Sequence, residues 1–253
     1  MAVVVGADSE VGAAIIGRLR ASGRDPVAVT RQPADSAQAA SAGSANAVGA
    51  LTWDPRSPLA TRSMVLSLSV AAPIDLCVVV EGTLALEAQP LHDLHLFEVD
   101  RVVDEHVKSY LFLLRELLRH GGDTRDRQAP DSAAMQLALV RTRSPGAGDQ
   151  LPPLQACVTG AFTALADTLI AADTHPGTEL MLFEPTGGAA GDEPLRTTAE
   201  RKAYADFVVD TLEAAPGNRR GRHRFRTGRR RLPRFYPLAP LGRTAPDRHW
   251  PPG

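Results

Sequence analysis

The sequence predicts one α/β domain, built as a doubly wound parallel sheet with helices on both faces. Short apolar runs alternate with helical patterns along most of the chain, and this alternation requires parallel strands joined by right-handed crossovers. Runs such as LCVVV at 76–80 contain no charged residue, as expected of strands that are covered on both sides. With 253 residues, 43% of them hydrophobic, the chain can bury one full core.

The first half of the chain is predicted to contain four strands and one helix. AVVVG at 2–6 has the composition of a buried strand, and the periodic stretch at 10–23 is typical of a helix that ends at a glycine. Residues 34–47 are rich in Ala, Ser and Gly and indicate a flexible connection. The second, third and fourth strands are predicted at 26–31, within 47–54 and at 73–82.

The second half begins with a long helix. The stretch at 96–122 has apolar residues at helical spacing and ends at glycine, so it predicts one continuous helix. Two further strand and helix pairs and a short last strand follow, with strands at 135–142, 178–185 and 222–226 and helices at 154–173 and 198–215.

The net charge of −1 conceals a basic C-terminal segment. From Gly217 to Gly253 there are eleven arginines and one acid, Asp247, a balance of +10, so the first 216 residues carry −11. The segment contains no recognised nucleic-acid-binding module, and its aromatic residues are not spaced for base stacking. We expect its arginines to cover the acidic body of this chain or of a neighbouring subunit, and we expect no nucleic-acid binding.

The residue pattern also predicts the location of the protein, the state of its cysteines and whether it binds a metal. No run approaches 18 consecutive apolar residues and the N-terminus has no signal-peptide pattern, so we expect a cytoplasmic protein without a membrane span. Cys77 and Cys157 have no paired spacing and predict free thiols. His92 and His95 flank Asp93 but lack a further ligand at a defined spacing, so no metal site is expected.

In the order and spacing of its motifs, the chain from 2 to about 227 resembles the short-chain dehydrogenases/reductases, leaving 228–253 as a basic, proline-rich extension. The resemblance implies a Rossmann-like fold and, for any cofactor, NADP. The residues that carry it are VGADSEVG at 5–12, Asp54 after the third strand, VVEG at 79–82, the long helix at 96–122, LALVRTRS and ELMLFEPTG. By this resemblance the vestigial cofactor residues are Gly6, Gly12, Arg31, Asp54 and Gly82.

The cofactor loop departs from the family at Glu10, which takes the position of the middle glycine. That glycine lets the backbone approach the pyrophosphate, and a carboxylate there repels it by about 1–4 kcal/mol at about 4 Å. The Glu10 carboxylate is instead placed to interact with the positive end of its own helix. We therefore expect no bound cofactor, and we expect Arg141 or Arg143 to pair with Glu81 or Glu10 where the cofactor would lie.

The catalytic centre departs further. The positions of the family's Tyr and Lys fall on Leu154 and Val158, and no Tyr or Lys occurs between Tyr110 and Lys202. Neither aliphatic side chain can transfer a proton. Ser144 is the candidate for the family's serine, and His106 occupies the position of its helical asparagine. Both remain candidate catalytic residues.

The helix predicted at 154–173 has small residues, Ala156, Gly160 and Ala164, at every fourth position. In the family this helix and the preceding one form a dimer interface, so we expect a dimer through the helices at 97–120 and 154–173. The partner is a second copy or an intact relative.

Two classes of function remain open. The first is a non-redox, non-catalytic subunit that pairs with an active relative. The second is an enzyme that reuses the cleft, either as a cofactor-independent lyase, cyclase or isomerase on a small molecule or as a residual NADP-dependent ketoreductase of a biosynthetic pathway.

Overall fold

A computed structural model describes residues 1–31, 50–82, 90–127, 134–143, 152–172, 177–186, 195, 197–214 and 221–226. It contains one seven-stranded, all-parallel sheet in the order β3-β2-β1-β4-β5-β6-β7. The strands are β1 (Ala2–Val5), β2 (Val27–Arg31), β3 (Ala50–Trp53), β4 (Leu76–Val80), β5 (Met135–Val140), β6 (Thr178–Thr186) and β7 (Gly221–Arg226). The predicted α/β class and all seven strands are confirmed.

Helices cover both faces of the sheet, which makes three layers. Side chains of successive strand residues point alternately to the two faces, and each face has its own apolar core. Tyr110 and Phe162 belong to the core on one face, and Ile15 and Tyr204 belong to the core on the other. The helices are α1 (Glu10–Ala21), α2 (Pro58–Ala71), α3 (Leu96–Val103), α4 (Ser109–Arg127), α5 (Pro153–Ala172) and α6 (Thr198–Glu213).

Two helical predictions need correction. No helix was expected between the third and fourth strands, yet α2 occupies that stretch, and Ser57 followed by Pro58 was its start signal. The predicted continuous helix at 96–122 is divided, because a π-helical segment at Asp104–Lys108, hereafter the π segment, separates α3 from α4. A π segment inserts an extra residue into the helical repeat and so turns the following side chains.

The turn between β1 and α1 depends on two glycines. Gly6 has a φ of +84°, and a Cβ there would come within 2.9 Å of the Val80 carbonyl oxygen. A Cβ on Gly12 would overlap the carbonyl oxygen of Gly6. Ser9 completes the turn, because its hydroxyl donates to the Gly6 carbonyl at 2.7 Å and accepts the Gly12 N–H at 2.9 Å. Both glycines are therefore needed to build the turn itself.

Several sequence-based expectations concern residues outside the described part of the chain. They are the candidate catalytic residue Ser144, the connection at 34–47 and the extension at 228–253. Both cysteines are free, Cys77 buried and Cys157 exposed, as predicted. Within the described part of the chain, one helix, α5, is long and apolar enough to span a membrane by length and composition, and its buried side packs against the sheet through Phe162 and Ala166.

Candidate active site

A row of alternating charges crosses the carboxyl edge of the sheet. Glu81 follows β4, Arg141 follows β5, and Glu184 and Arg224 lie in β6 and β7. The strand register places these four residues side by side. The carboxyl ends of parallel strands are where α/β proteins bind ligands, so this row lies at the expected active site.

We call these four residues the charge row. Their charged groups pair with one another. The Glu184 carboxylate lies 3.3 Å from Nη1 of Arg141 and 3.6 Å from Nε of Arg224. Nε of Arg141 lies 4.0 Å from Oε2 of Glu81. The predicted pairing of Arg141 with Glu81 is thus present, and Glu184 is a second partner that the prediction did not include.

Glu81 is held from α5 and from the segment that follows β5. Its Oε1 accepts the hydroxyl of Thr159 in α5 at 2.7 Å, and its Oε2 accepts the backbone N–H of Thr142 at 3.2 Å. The side chain is buried, and burial raises the pKa of its carboxyl above the usual value despite these donors and Arg141. Tyr204 in α6 closes the site from the other face by donating to the Arg141 carbonyl at 3.0 Å.

The positions expected for the catalytic Tyr and Lys are apolar and buried. Leu154 and Val158 lie on α5 and pack with Val102 of α3 in a small separate cluster. Val158 has no exposed surface. The hydroxyl of Thr159 faces Glu81, as described above.

Glu10 behaves as expected of an internal counter-charge. It is the first residue of α1, where a carboxylate interacts favourably with the helix dipole. Its carboxylate forms an ion pair with Arg201 of α6. Arg141 pairs with Glu81 and Glu184 rather than with Glu10.

Arg31, the last residue of β2, reaches across the carboxyl end of β1 to the end of β4. Its Nη1 lies 2.8 Å from Nδ1 of His106, and its Nη2 donates to the Tyr110 hydroxyl at 2.5 Å. The same hydroxyl oxygen accepts the Gly82 N–H at 2.5 Å. The guanidinium carbon lies 5.3 Å from the centre of the Tyr110 ring.

His106 is placed in the π segment rather than at the start of a helix. Burial, together with the positive charges of Arg31 and Arg101, lowers the pKa of its imidazole to about 3. The ring is therefore neutral at neutral pH, and its Nδ1 is engaged with Arg31. A base of such low pKa holds a proton poorly near pH 7, so the geometry favours a structural role for His106.

Asp54 lies directly after β3, as the resemblance implied. Its Oδ1 accepts the Arg56 N–H at 3.0 Å and also lies 3.6 Å from Nε of Arg56, so the side chain organises the turn before α2. Among the residues that the structure describes, no group of three or more His, Cys, Asp or Glu side chains is arranged to hold a metal.

Two side chains occupy parts of the crevice where the resemblance would place a dinucleotide. A glycine at the end of β4 leaves room for a ligand, but a Cβ added to Gly82 would overlap the Arg31 guanidinium. The space above Gly82 is therefore filled by protein. At the other end of the crevice, the Glu10 carboxylate stands at the N-terminus of α1, where a phosphate would otherwise bind.

Comparison with known proteins supports the fold. No protein-family model matches the chain, and no curated protein matches its sequence. Its structure is similar to a short-chain dehydrogenase/reductase from Vibrio parahaemolyticus, with 14% identity and a TM-score of 0.61 over 89% of this chain and 100% of that one. It is also similar to a short chain dehydrogenase from Burkholderia cenocepacia J2315 in complex with NADP, with 20% identity and a TM-score of 0.60 over 89% and 95% of the chains. Serine dehydrogenase from Escherichia coli is a further match, with 19% identity and a TM-score of 0.58 over 87% and 94%.

Proposed function

We propose that this chain is a member of the short-chain dehydrogenase/reductase family that transfers no hydride and acts in the cytoplasm as one subunit of a dimer. The charge row carries this proposal. Glu81, Arg141 and Glu184 lie at the carboxyl ends of the strands, are buried, and are engaged with one another and with neighbouring donors.

Reduction of a carbonyl requires a proton donor beside the substrate oxygen. Leu154 and Val158, at the positions that resemble the family's Tyr and Lys, cannot supply a proton. Tyr110 is buried in the core and its hydroxyl oxygen already accepts two N–H groups. His106 is neutral and engaged with Arg31. The described residues at the site therefore favour a structural role over proton transfer.

The dimer is supported by the outward face of α5. Cys157, Gly160, Ala164 and Thr168 form an exposed stripe of small residues along this helix. Nothing lies within 4 Å of a Cβ added at Gly160, so this position is open in the single chain. A largely apolar helix with one exposed face is typical of a surface that packs against another protein.

Substitution of Gly160 tests the dimer. Gly160→Arg places a long charged side chain on the stripe without a clash inside the subunit, and we expect it to convert a dimer into a monomer in light scattering after size exclusion. Gly17 on α1 is the matched control, because it is also an exposed helical glycine with open space around its Cβ. Gly17→Arg should remain dimeric.

Two results would contradict this assembly. One is a Gly160→Arg protein that stays dimeric. The other is a wild-type chain that is monomeric both alone and when it is co-expressed with an intact relative from the same genome. A wild-type chain that dimerises only with the relative identifies the partner as heteromeric.

Hydride transfer is tested separately by following the absorbance of NADPH with a panel of aldehydes and ketones. We expect no turnover above the buffer rate. Catalysed oxidation of NADPH that requires the carbonyl compound would overturn the non-redox proposal, whatever the oligomeric state.

Binding of NADP without chemistry is the second candidate. Two observations favour it: the Gly6, Ser9 and Gly12 turn has the geometry of a dinucleotide loop, and one structurally similar dehydrogenase is a complex with NADP. In that case NADP should raise the melting temperature of the wild-type chain, with Arg31 turned outward towards the 2′-phosphate. The alternative of a lyase, cyclase or isomerase depends on His106 and Ser144, and the engagement of His106 with Arg31 weighs against it.

A further inference from the structure

Arg31 lies across the crevice where the direction of strand order reverses. In the sheet, β1 stands between β2 and β4. From β1 the chain adds β2 and β3 on one side, and it then returns to add β4 to β7 on the other side. Ligands of open α/β sheets bind at such a switch point, outside the carboxyl ends of the strands. The Arg31 side chain starts on β2, passes β1 and ends over Gly82 after β4.

We propose that Arg31 is a built-in occupant of this crevice and that its removal opens the site to an adenine dinucleotide. This inference rests on the proposed function, because it explains how a chain of this fold stays closed and folded without a coenzyme. The absence of a side chain on Gly82 makes room for the guanidinium, just as it would make room for a ligand.

The contacts that hold Arg31 come from groups fixed by the core. The Tyr110 ring is buried and packs edge to face on Phe162, with ring centres 4.8 Å apart. Its hydroxyl oxygen is positioned by the Gly82 N–H and accepts Nη2 of Arg31. The π segment brings His106 to Nη1.

The two side chains that accept hydrogen bonds from Arg31 are uncharged, and the glycine beside them carries no side chain. Tyr110 is a phenol whose pKa is raised by burial, His106 is a neutral imidazole, and Gly82 contributes only its backbone. Hydrogen bonds from a charged donor are stronger than those between neutral groups. The arginine is thus held by hydrogen bonds and shape, and it does not require an anion to stay in place.

A different role for Arg31 predicts the opposite result. If Arg31 served as a ligand of the 2′-phosphate of NADP, its loss would weaken binding of NADP. If it is an occupant, its loss strengthens binding, including that of NAD, which has no 2′-phosphate. The sign of the change therefore separates the two roles.

The experiment measures binding of NAD, NADP and ADP-ribose to the full chain by calorimetry and thermal shift. The variants are Arg31→Ala and Arg31→Ala combined with Glu10→Gly, compared with the wild type and with Glu10→Gly. We expect Arg31→Ala to bind NAD at least about tenfold more tightly than its parent in one or both Glu10 backgrounds. Arg20→Ala removes an exposed arginine in the last turn of α1 and should change nothing.

The proposal is overturned if Arg31→Ala binds NAD no more tightly than its parent in either background, or if it lowers the affinity for NADP. Circular dichroism reports whether each variant is folded. If Arg31→Ala fails to fold, Arg31→Gln replaces it, because glutamine keeps an N–H donor on a shorter side chain. Hydride transfer by the wild-type chain would contradict the proposed function alone. An affinity for NAD that Arg31→Ala leaves unchanged would contradict the occupant proposal alone.

Discussion

Nη1 of Arg31 lies 2.8 Å from Nδ1 of His106 and joins the end of β2 to the π segment of the long helix. This contact fixes the imidazole as a hydrogen-bond acceptor. It also places a positive charge beside a ring that would otherwise titrate near neutral pH. Burial and the positive charges of Arg31 and Arg101 together keep the imidazole neutral, and the Arg31–His106 contact helps to close the crevice.

The His106 pair predicts a defined loss of stability in acid. Because the folded pKa is about 3 against an ordinary value of 6.5, the folded state takes up this proton less readily than the unfolded state. The free energy of unfolding should fall as the pH decreases from about 6.5 towards 3. His106→Asn keeps an acceptor oxygen for Arg31 but cannot titrate, so this part of the fall should disappear in urea titrations at several pH values.

An NMR titration checks the same prediction directly. The His106 ring signal, assigned by its absence in His106→Asn, should not shift between pH 8 and pH 5 in the folded protein. A signal that titrates with a midpoint near 6.5 would show that the imidazole is accessible and would revive its candidacy as a general base.

Placing Tyr and Lys at the two positions implied by the resemblance should not produce hydride transfer. Leu154→Tyr with Val158→Lys puts a charged group into a cluster with no exposed surface at Val158. An unpaired buried charge destabilises by about 3–5 kcal/mol, so the variant should unfold at lower urea concentration and transfer no hydride. Ala172→Lys adds the same charge at an exposed position of α5 and serves as the control. Carbonyl-dependent oxidation of NADPH by the double variant would refute the prediction.

The two glycines of α1 should respond oppositely to alanine. Gly12→Ala would overlap the carbonyl oxygen of Gly6, and we expect a loss of about 1–3 kcal/mol in the free energy of unfolding. Gly17→Ala meets nothing within 4 Å and should gain up to about 1 kcal/mol from helix propensity. Equal effects in urea denaturation would show that Gly12 is not required by the turn.

Thr159 should matter more than its neighbour Thr163 on the same helix. Thr159→Val removes the hydroxyl that donates to Glu81, and a buried carboxylate that loses a donor costs about 1–3 kcal/mol. The Thr163 hydroxyl donates to a backbone carbonyl of its own helix, so Thr163→Val should have a smaller effect. Thermal unfolding of both variants compares them, and equal losses would argue against a role for the Thr159–Glu81 bond.

Much of the architecture was predictable because it depends on local pattern. Alternating apolar strands and periodic helices predicted the parallel sheet, and Gly6 and Gly12 marked the turn. The lack of Tyr and Lys between Tyr110 and Lys202 is visible in the sequence itself. Helix α2 was not predicted, although Ser57 and Pro58 are a helix start signal. Its exposed apolar residues, Leu59, Leu66 and Val70, make its amphipathic pattern hard to recognise.

The sequence predicted the pairing of Arg141 with Glu81, but it could not determine the rest of the charge row. Glu81, Arg141, Glu184 and Arg224 are far apart in the chain and become neighbours only through the register of four strands. Glu184 and Thr159 carry no local signal of a site, since each belongs to an otherwise ordinary strand or helix.

The sequence by itself determined the order of the strands along the chain, the glycine turn and the absence of Tyr and Lys between Tyr110 and Lys202, because each depends on residue type or on a short local pattern. Only the tertiary structure decided that Arg31 turns inward over Gly82. A long side chain takes its direction from the acceptors around it, and here those acceptors, Tyr110 and His106, are brought to it by the packing of α4 and by the π segment.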